Sequence, residues 1–356
     1  MTQAVPFERV FELERRLQTS WPNFHRALAD STALHDQLTA SVEGLTAEDS
    51  SVVVFGSVGR FEVTTDSDVD WTYLIDGQAN LQHLATARKV QESIESIRQK
   101  KLGPEGTFGS LAFSHEIVQY IGGGDDSNAN LTRRILLLLE SRPIGRREAY
   151  DRVMRLVLER YLTGDHGWIR ARTALGVPRF LQNDIVRYWR TIAVDFAYKQ
   201  WTRDNKGWAL KSAKLRLSRK LIYAAGLLYC FSPTFLPWGT DNSVPQSERK
   251  VLGIAHLAER ASWTPLDIVA AAFLSTASLD ASAKTAFAAY DEFLGMLNDA
   301  RIRVHLEELT PEQADSDARW ARVRDLGRDF QDGLNALFLD DHNTKYPELI
   351  HEYGVF

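Results

Sequence analysis

The chain has 356 residues, 44% of them hydrophobic and 25% charged, with a formal net charge of −5. That length predicts about two domains around a sizeable core, and the acidic balance makes any polyanion binding depend on a local basic patch. A lone cysteine, Cys230, excludes an internal disulfide, no leader-like opening is seen, and no apolar run reaches the ~20 residues of a membrane span, so a cytoplasmic protein is expected.

Residues 7–39 read as two amphipathic helices divided near Ser20, with Val10, Leu13 and Leu17 at helical spacing. They are expected to pack on the sheet that follows and carry no evident chemistry. The stretch from Ser51 to Asp76 organises the rest. A β-branched run, Val52 to Val54, leads into Gly56 and Ser57; eleven residues after Ser57 stand Asp68 and Asp70, which run into the apolar strand Trp71–Ile75. Side chains alternate along a strand, so two aspartates two apart are expected to share a face. Paired carboxylates repel unless a cation lies between them, and hard oxygen ligands suit Mg²⁺, which also bridges to phosphates. Gly56 allows close backbone approach, and Ser57 offers a hydroxyl and an N–H to a phosphate. The plain alternative is a turn glycine with two solvated aspartates.

A polar helix is expected over 80–101, then a strand over 110–121 in which Glu116 is the only acid. Glu116 is the candidate third metal ligand, with Asp125 and Asp126 in the next loop as competitors. Asn128 or Asn130 is expected to cap a helix that buries Leu131, Ile135, Leu138 and Leu139. Arg133 and Arg134 near its start oppose the helix dipole, which a bound phosphate would offset; two solvated arginines are the alternative.

Beyond residue 150 the pattern is helical. In one helix Asp184, Tyr188, Thr191, Asp195 and Lys199 form a polar stripe, either an ordinary solvated face or a cleft wall. A second stretch holds Lys211, Lys214, Arg216, Arg219 and Lys220 without an acid. Like charges so close destabilise a helix unless an anion lies against them. Lys214, then Arg219 and Lys220, are the candidate phosphate-neutralising groups, against a solvated basic face. The end of the chain is expected to be extended and mobile because of Pro347 and Gly354, yet Tyr346, Leu349, Ile350, Tyr353 and Phe356 imply that it docks.

Gly-Ser followed by Asp-x-Asp on the next strand resembles the polymerase-β-like nucleotidyltransferase superfamily. Gly59, Arg60 and Glu62 are similar to the Gly-x-Gly-Arg-x-Glu variant of the PII uridylyltransferases, as is the Leu-Leu-Glu-Ser-Arg run ending at Arg142. The resemblance implies an α+β fold: N-terminal helices over 1–45, a catalytic core of small mixed sheet and helices over 46–150, an all-helical domain over 151–306 forming the other wall of a nucleotide cleft, and a helix with a tail over 307–356. It implies transfer of a nucleoside monophosphate from an NTP or dNTP with release of pyrophosphate. Two Mg²⁺ ions, replaceable by Mn²⁺, would be held by Asp68, Asp70 and Glu116, and the phosphates by Gly56, Ser57, Arg60, Lys214, Arg219 and Lys220; Arg60 either reaches a phosphate or braces Glu62. The uridylyltransferase pattern has Gly-His near the third ligand, which His115 matches, so the site departs from a simple three-aspartate form.

The whole layout, with Tyr353 near the end, is also similar to the nucleotidyltransferase component of the Hailong anti-phage systems. That likeness implies template-independent synthesis of single-stranded oligodeoxyadenylate from a hydroxyl on Tyr353, or secondarily Tyr346. The DNA product would restrain a membrane effector, and a homo-oligomer is expected. A phenol, with a pKa of about 10, would need the catalytic metal to become a nucleophile. The alternatives are a single-step transferase that modifies a partner protein and an inactive nucleotide-binding subunit.

Overall fold

The computed structural model describes residues 4–98, 107–165, 176–202, 205–236, 245–340 and 344–354. Val52, Val53 and Val54 sit in β1 (Ser50–Phe55), which pairs antiparallel with both β2 (Asp70–Ile75) and β4 (Arg142–Ile144). β3 (Ser110–Phe113) runs parallel to β2, giving one mixed sheet in the order β3-β2-β1-β4. The helices interleaved with it are α1 (Glu8–Arg16), α2 (Pro22–Ser41), α3 (Gly56–Gly59), α4 (Leu81–Ile97), α5 (Ser114–Gln119), α6 (Asn128–Leu139) and α7 (Glu148–Gly164). The chain then continues as helices: α8 (Arg179–Thr202), α9 (Trp208–Lys214), α10 (Lys220–Phe231), α11 (Gln246–Arg260), α12 (Pro265–Leu274), α13 (Asp280–Asn298), α14 (Ala300–Glu308), α15 (Ala318–Asn335) and α16 (Tyr346–Leu349). The fold is α+β, with a small sheet and many helices.

Every residue of β1 is buried. Strand alternation sends Val52 and Val54 to one face, where they join Trp71, Tyr73, Leu38 of α2 and Val90 of α4. Val53 and Phe55 face the other way, onto Ile135 of α6 and Val157 of α7, and from there the core runs unbroken into the C-terminal helices. Residue 150 therefore marks a change of element type inside one packed body.

Four expectations are corrected. The strand expected over 110–121 stops at Phe113 and turns into α5, whose Ile117 and Val118 are buried. Ser127, and neither asparagine, caps α6 by accepting the Asn130 N–H at 3.1 Å. The C-terminal stretch is not extended: Pro347 lies in the first turn of α16, where its missing N–H costs nothing, and a π turn follows over Ile350–Gly354; Phe356 lies outside the described residues. Of the N-terminal helices, α2 packs beside the sheet, but α1 docks on α12. The N–H groups of Phe7, Arg9 and Val10 donate to the Asp267 carboxylate at 2.9, 2.9 and 3.3 Å, satisfying donors that a helix start leaves open. Among the described residues no single helix is long and apolar enough to cross a membrane.

Candidate functional site

β1 is followed directly by Gly56, whose φ of +65° lies in the left-handed region that favours glycine. The chain then folds into the single turn α3. The register pairs Phe55 with Asp70, so Gly56 lies against the first residue of β2; a Cβ on Gly56 would stand 3.0 Å from Asp70 Oδ2. Asp68 lies in the loop before β2, so pleating does not orient it as expected. The loop nevertheless brings it to the same place: Gly56, Ser57, Arg60, Asp68 and Asp70 all line one cleft.

The opposite lining comes from more than 140 residues further on. α9 passes through a π turn, Leu215–Arg219, into α10. In a π turn residues four and five apart come nearly into line, and Lys214, Ser218 and Arg219 all face the cleft while Leu217 and Leu221 enter the core. The other charges of this stretch are dispersed. Arg216 lies over the Trp320 ring at 5.8 Å, and Lys211 Nζ donates to the Lys206 carbonyl at 2.7 Å. Lys220 does not line the cleft; it sits among Arg216 and Asp332, and burial lowers its pKa.

Burial, and then the Asp68 charge, push the Asp70 carboxyl up to about 6, with Arg219 and Lys214 acting against that rise. Asp68 and Asp70 are the residues that would hold a divalent cation. Their hard oxygens and their mutual repulsion fit one, and the Ser57 hydroxyl lines the same cleft.

Arg60 braces the site from behind. Its Nε donates to Glu62 Oε2 at 2.9 Å and its Nη1 to Glu140 Oε2. Tyr290 donates to the same Glu62 oxygen at 3.0 Å. Burial disfavours the Arg60 charge, but Glu62 and Glu140 more than offset it and raise its pKa above the ordinary value. Two of its three guanidinium nitrogens, Nε and Nη1, thus donate to carboxylates.

Glu116 is not at the site. β3 runs parallel to β2 with Ser110 opposite Thr72 and Phe113 opposite Ile75. Glu116 therefore leaves the sheet at the Ile75 end, roughly 17 Å of strand from Asp70 at about 3.3 Å per residue. It sits near Arg133, which burial acts on first. Asp125 is exposed, and Asp126 is an ion-pair partner of Arg134 at 2.9 Å and of Arg187 at 3.3 Å. Arg134, fully buried, also takes Asp184 at 2.9 Å, so carboxylates answer the dipole cost that suggested a phosphate. Among the described residues no group of three or more His, Cys, Asp or Glu side chains is placed to hold a metal ion. The further carboxylate that acts on Asp70 is Glu140, which the sequence pattern left unassigned although it interrupts an apolar run.

Tyr353 does not line the cleft either. It lies in the terminal π turn, and its carbonyl accepts the Gln182 Nε2 donor at 2.7 Å; burial and Glu352 raise its phenol. Tyr346 is buried against Phe235 and Phe338. The cleft also contains residues no motif announced: Thr64, Ser67, Leu294, Leu297 and Arg303.

The chain matches no protein-family model, no curated protein and no solved structure.

Proposed function

We propose that this chain is a metal-dependent nucleotidyltransferase, with the mixed sheet as a polymerase-β-like core and the helices from α8 onward as the other wall of its cleft. The observation that carries this reading is the convergence of the Gly56–Ser57 turn, the Asp68/Asp70 pair and the Lys214/Arg219 pair on one cavity. These are the parts needed to grip a nucleoside triphosphate: a close-approach turn, a seat for divalent metal and cations for the phosphates.

Asp68 and Asp70 would hold Mg²⁺ or Mn²⁺, which when bound neutralises phosphate charge and makes an attacking hydroxyl more acidic. Ser57 is the hydroxyl donor at the phosphates. Lys214 and Arg219 balance the charge that develops on departing pyrophosphate. The Arg60–Glu62–Glu140 set would brace the turn and the Arg219 head. For the acceptor, a separate molecule is the simpler reading. Self-priming on Tyr353, as a Hailong-like oligodeoxyadenylate synthase would require, needs the docked tail to leave Gln182 or to reach another copy of the chain.

The test is incubation of the purified protein with each labelled NTP and dNTP plus Mg²⁺ or Mn²⁺, with pyrophosphate and labelled products measured. Asp68→Ala/Asp70→Ala and Tyr353→Phe run alongside. Pyrophosphate release that disappears in the double variant is the expected result. Release from no nucleotide under either metal would replace the proposal with a nucleotide-binding subunit. A label ladder on the protein that Tyr353→Phe abolishes would establish the self-primed polymer.

A further inference from the structure

Arg303, on α14, is 4% exposed and lines the cleft, yet its charge is poorly matched. Glu307 and Asp66 stand 3.4 and 3.8 Å from its Nε. Their side chains are 45% and 48% exposed, so water screens both. Its closest partner is neutral, the Asp66 carbonyl at 3.0 Å, and the Thr64 hydroxyl stands at 3.4 Å. Two other buried arginines differ. Arg60 lies between two buried carboxylates, and Arg134 has Asp126 and Asp184 at 2.9 Å. Arg142 is buried with no ion-paired carboxylate among the described residues, but it donates to the Ser141 and Ser262 carbonyls, lies over the Phe61 ring and is not among the residues that line the cleft.

A buried charge with weak compensation is unfavourable, and a guanidinium at a cavity relieves that by taking an anion in its planar fork. Phosphate is the anion that fits the surroundings. The hydroxyls of Thr64 and Ser67 lie 3.1 Å apart beside Arg303, and both line the cleft. The cations that act on Asp70 are Arg219 and Lys214; Arg303 is a third position, on a separate helix.

We infer that Arg303, with the Thr64 and Ser67 hydroxyls, forms a phosphate subsite of the cleft in addition to Ser57, Lys214 and Arg219. The ligand is a phosphate group, borne either by the far end of the bound triphosphate or by the molecule that accepts the transfer. The choice of nucleotide ligands rests on the proposed function; the subsite itself rests on the environment of Arg303. A purely structural role is the competing account, because Arg303 also straps the loop that carries Asp68 through the Asp66 carbonyl. Loosening that strap would weaken all ligands alike.

Isothermal titration in Mg²⁺ of wild type, Arg303→Gln and Arg303→Lys separates these accounts. The ligand pairs differ by one phosphate: ATP against ADP, and the dinucleotide pApA against ApA. Arg303→Gln is expected to shrink the affinity ratio of one pair by tenfold or more, with Arg303→Lys restoring part of it. The pair that changes identifies the source of the phosphate. Unchanged ratios in both pairs, with or without a uniform loss of affinity, would overturn the subsite. If wild type binds no nucleotide, the transferase reading falls and inorganic triphosphate becomes the probe. A tenfold loss of its binding in Arg303→Gln, partly restored by Lys, sustains the subsite, and equal binding ends it. Should Arg303→Gln fail to fold, Arg303→Lys carries the same ratio test with a smaller expected change, about threefold.

Discussion

Arg219 on the helical wall reaches Glu140 at the end of α6, with Nη1 3.5 Å from Oε1, while the other Glu140 oxygen accepts from Arg60. One buried carboxylate thus ties the glycine turn to the basic wall of the cleft. Glu140→Ala leaves the buried Arg60 guanidinium and the partly exposed Arg219 head each short of a partner, and breaking the buried Arg60–Glu140 pair from one side costs about 3–5 kcal/mol. Glu140→Gln keeps the shape and one acceptor, and about half of that loss is expected. Urea unfolding of both variants checks this; a change under about 1 kcal/mol for the alanine variant would show that the network does not hold the two halves together.

The two glycines of α3 should respond differently. A Cβ on Gly59 would lie 2.0 Å from the Glu140 carbonyl oxygen and 3.1 Å from that of Val54. Both obstacles are main chain and cannot turn aside, so Gly59→Ala is expected to lose more than about 3 kcal/mol and to yield little folded protein. Gly56→Ala meets a left-handed backbone and the Asp70 carboxylate at 3.0 Å. About 1–2 kcal/mol is expected from the backbone, with a larger proportional loss of Mg²⁺ binding because Asp70 is displaced. Gly124→Ala, with nothing within 4 Å, is the control. Thermal melts with and without Mg²⁺ distinguish the three.

Legibility from sequence followed how local the cause was. β1, the turn at Gly56 and the start of β2 could be read because β-branched runs, a glycine and an acidic pair lie within about twenty-five residues. The end of β3 could not, since Ile117 and Val118 in a short apolar run suit a helix turn as well as a strand. Lys214 and Arg219 were visible as an acid-free cluster, but which lysine or arginine faces the cleft depends on a π turn with no composition signal. Glu140 and Arg303 were illegible for a different reason. Each is a charged residue whose role is set by partners at least 79 positions away: Arg60 and Arg219 for one, Thr64 and Asp66 for the other.

The C-terminal stretch behaves as structure, which gives a contrast between its two tyrosines. Tyr346 is buried, with its ring 5.0 Å from that of Phe235, so Tyr346→Ala is expected to cost about 3 kcal/mol. Tyr353 engages Gln182 through its carbonyl and not its hydroxyl, so Tyr353→Phe is expected to change stability by less than about 0.5 kcal/mol. Chemical denaturation of the two variants measures both. A Tyr353→Phe loss near that of Tyr346→Ala would mean that the phenol is held in a way this packing does not account for.

Asp70 makes the stability of the metal-free protein depend on pH, with a sign that follows from its position. Its carboxyl is raised from 3.8 to about 6 by burial and by Asp68, so between these values the folded state holds more protons than the unfolded state. Stability then falls as pH rises from about 4 to about 6 and stays low above that. Two units correspond to about 3 kcal/mol, and because the cleft admits some water the effect is on the order of 2 kcal/mol. Asp70→Asn removes the charge. In EDTA it is expected to stabilise the protein by about that amount at pH 7.5 and to have no effect near pH 3.5. With Mg²⁺ the order reverses, because the cation stabilises only the protein that keeps both carboxylates, and less so below pH 6, where protons compete. Melting curves for wild type and Asp70→Asn across pH 4–8, with EDTA and with Mg²⁺, measure all four limbs. An Asp70→Asn variant less stable than wild type in EDTA at pH 7.5 would mean that Asp68 and Asp70 are not a repelling pair awaiting a cation, and the metal seat would have to be sought elsewhere in the cleft.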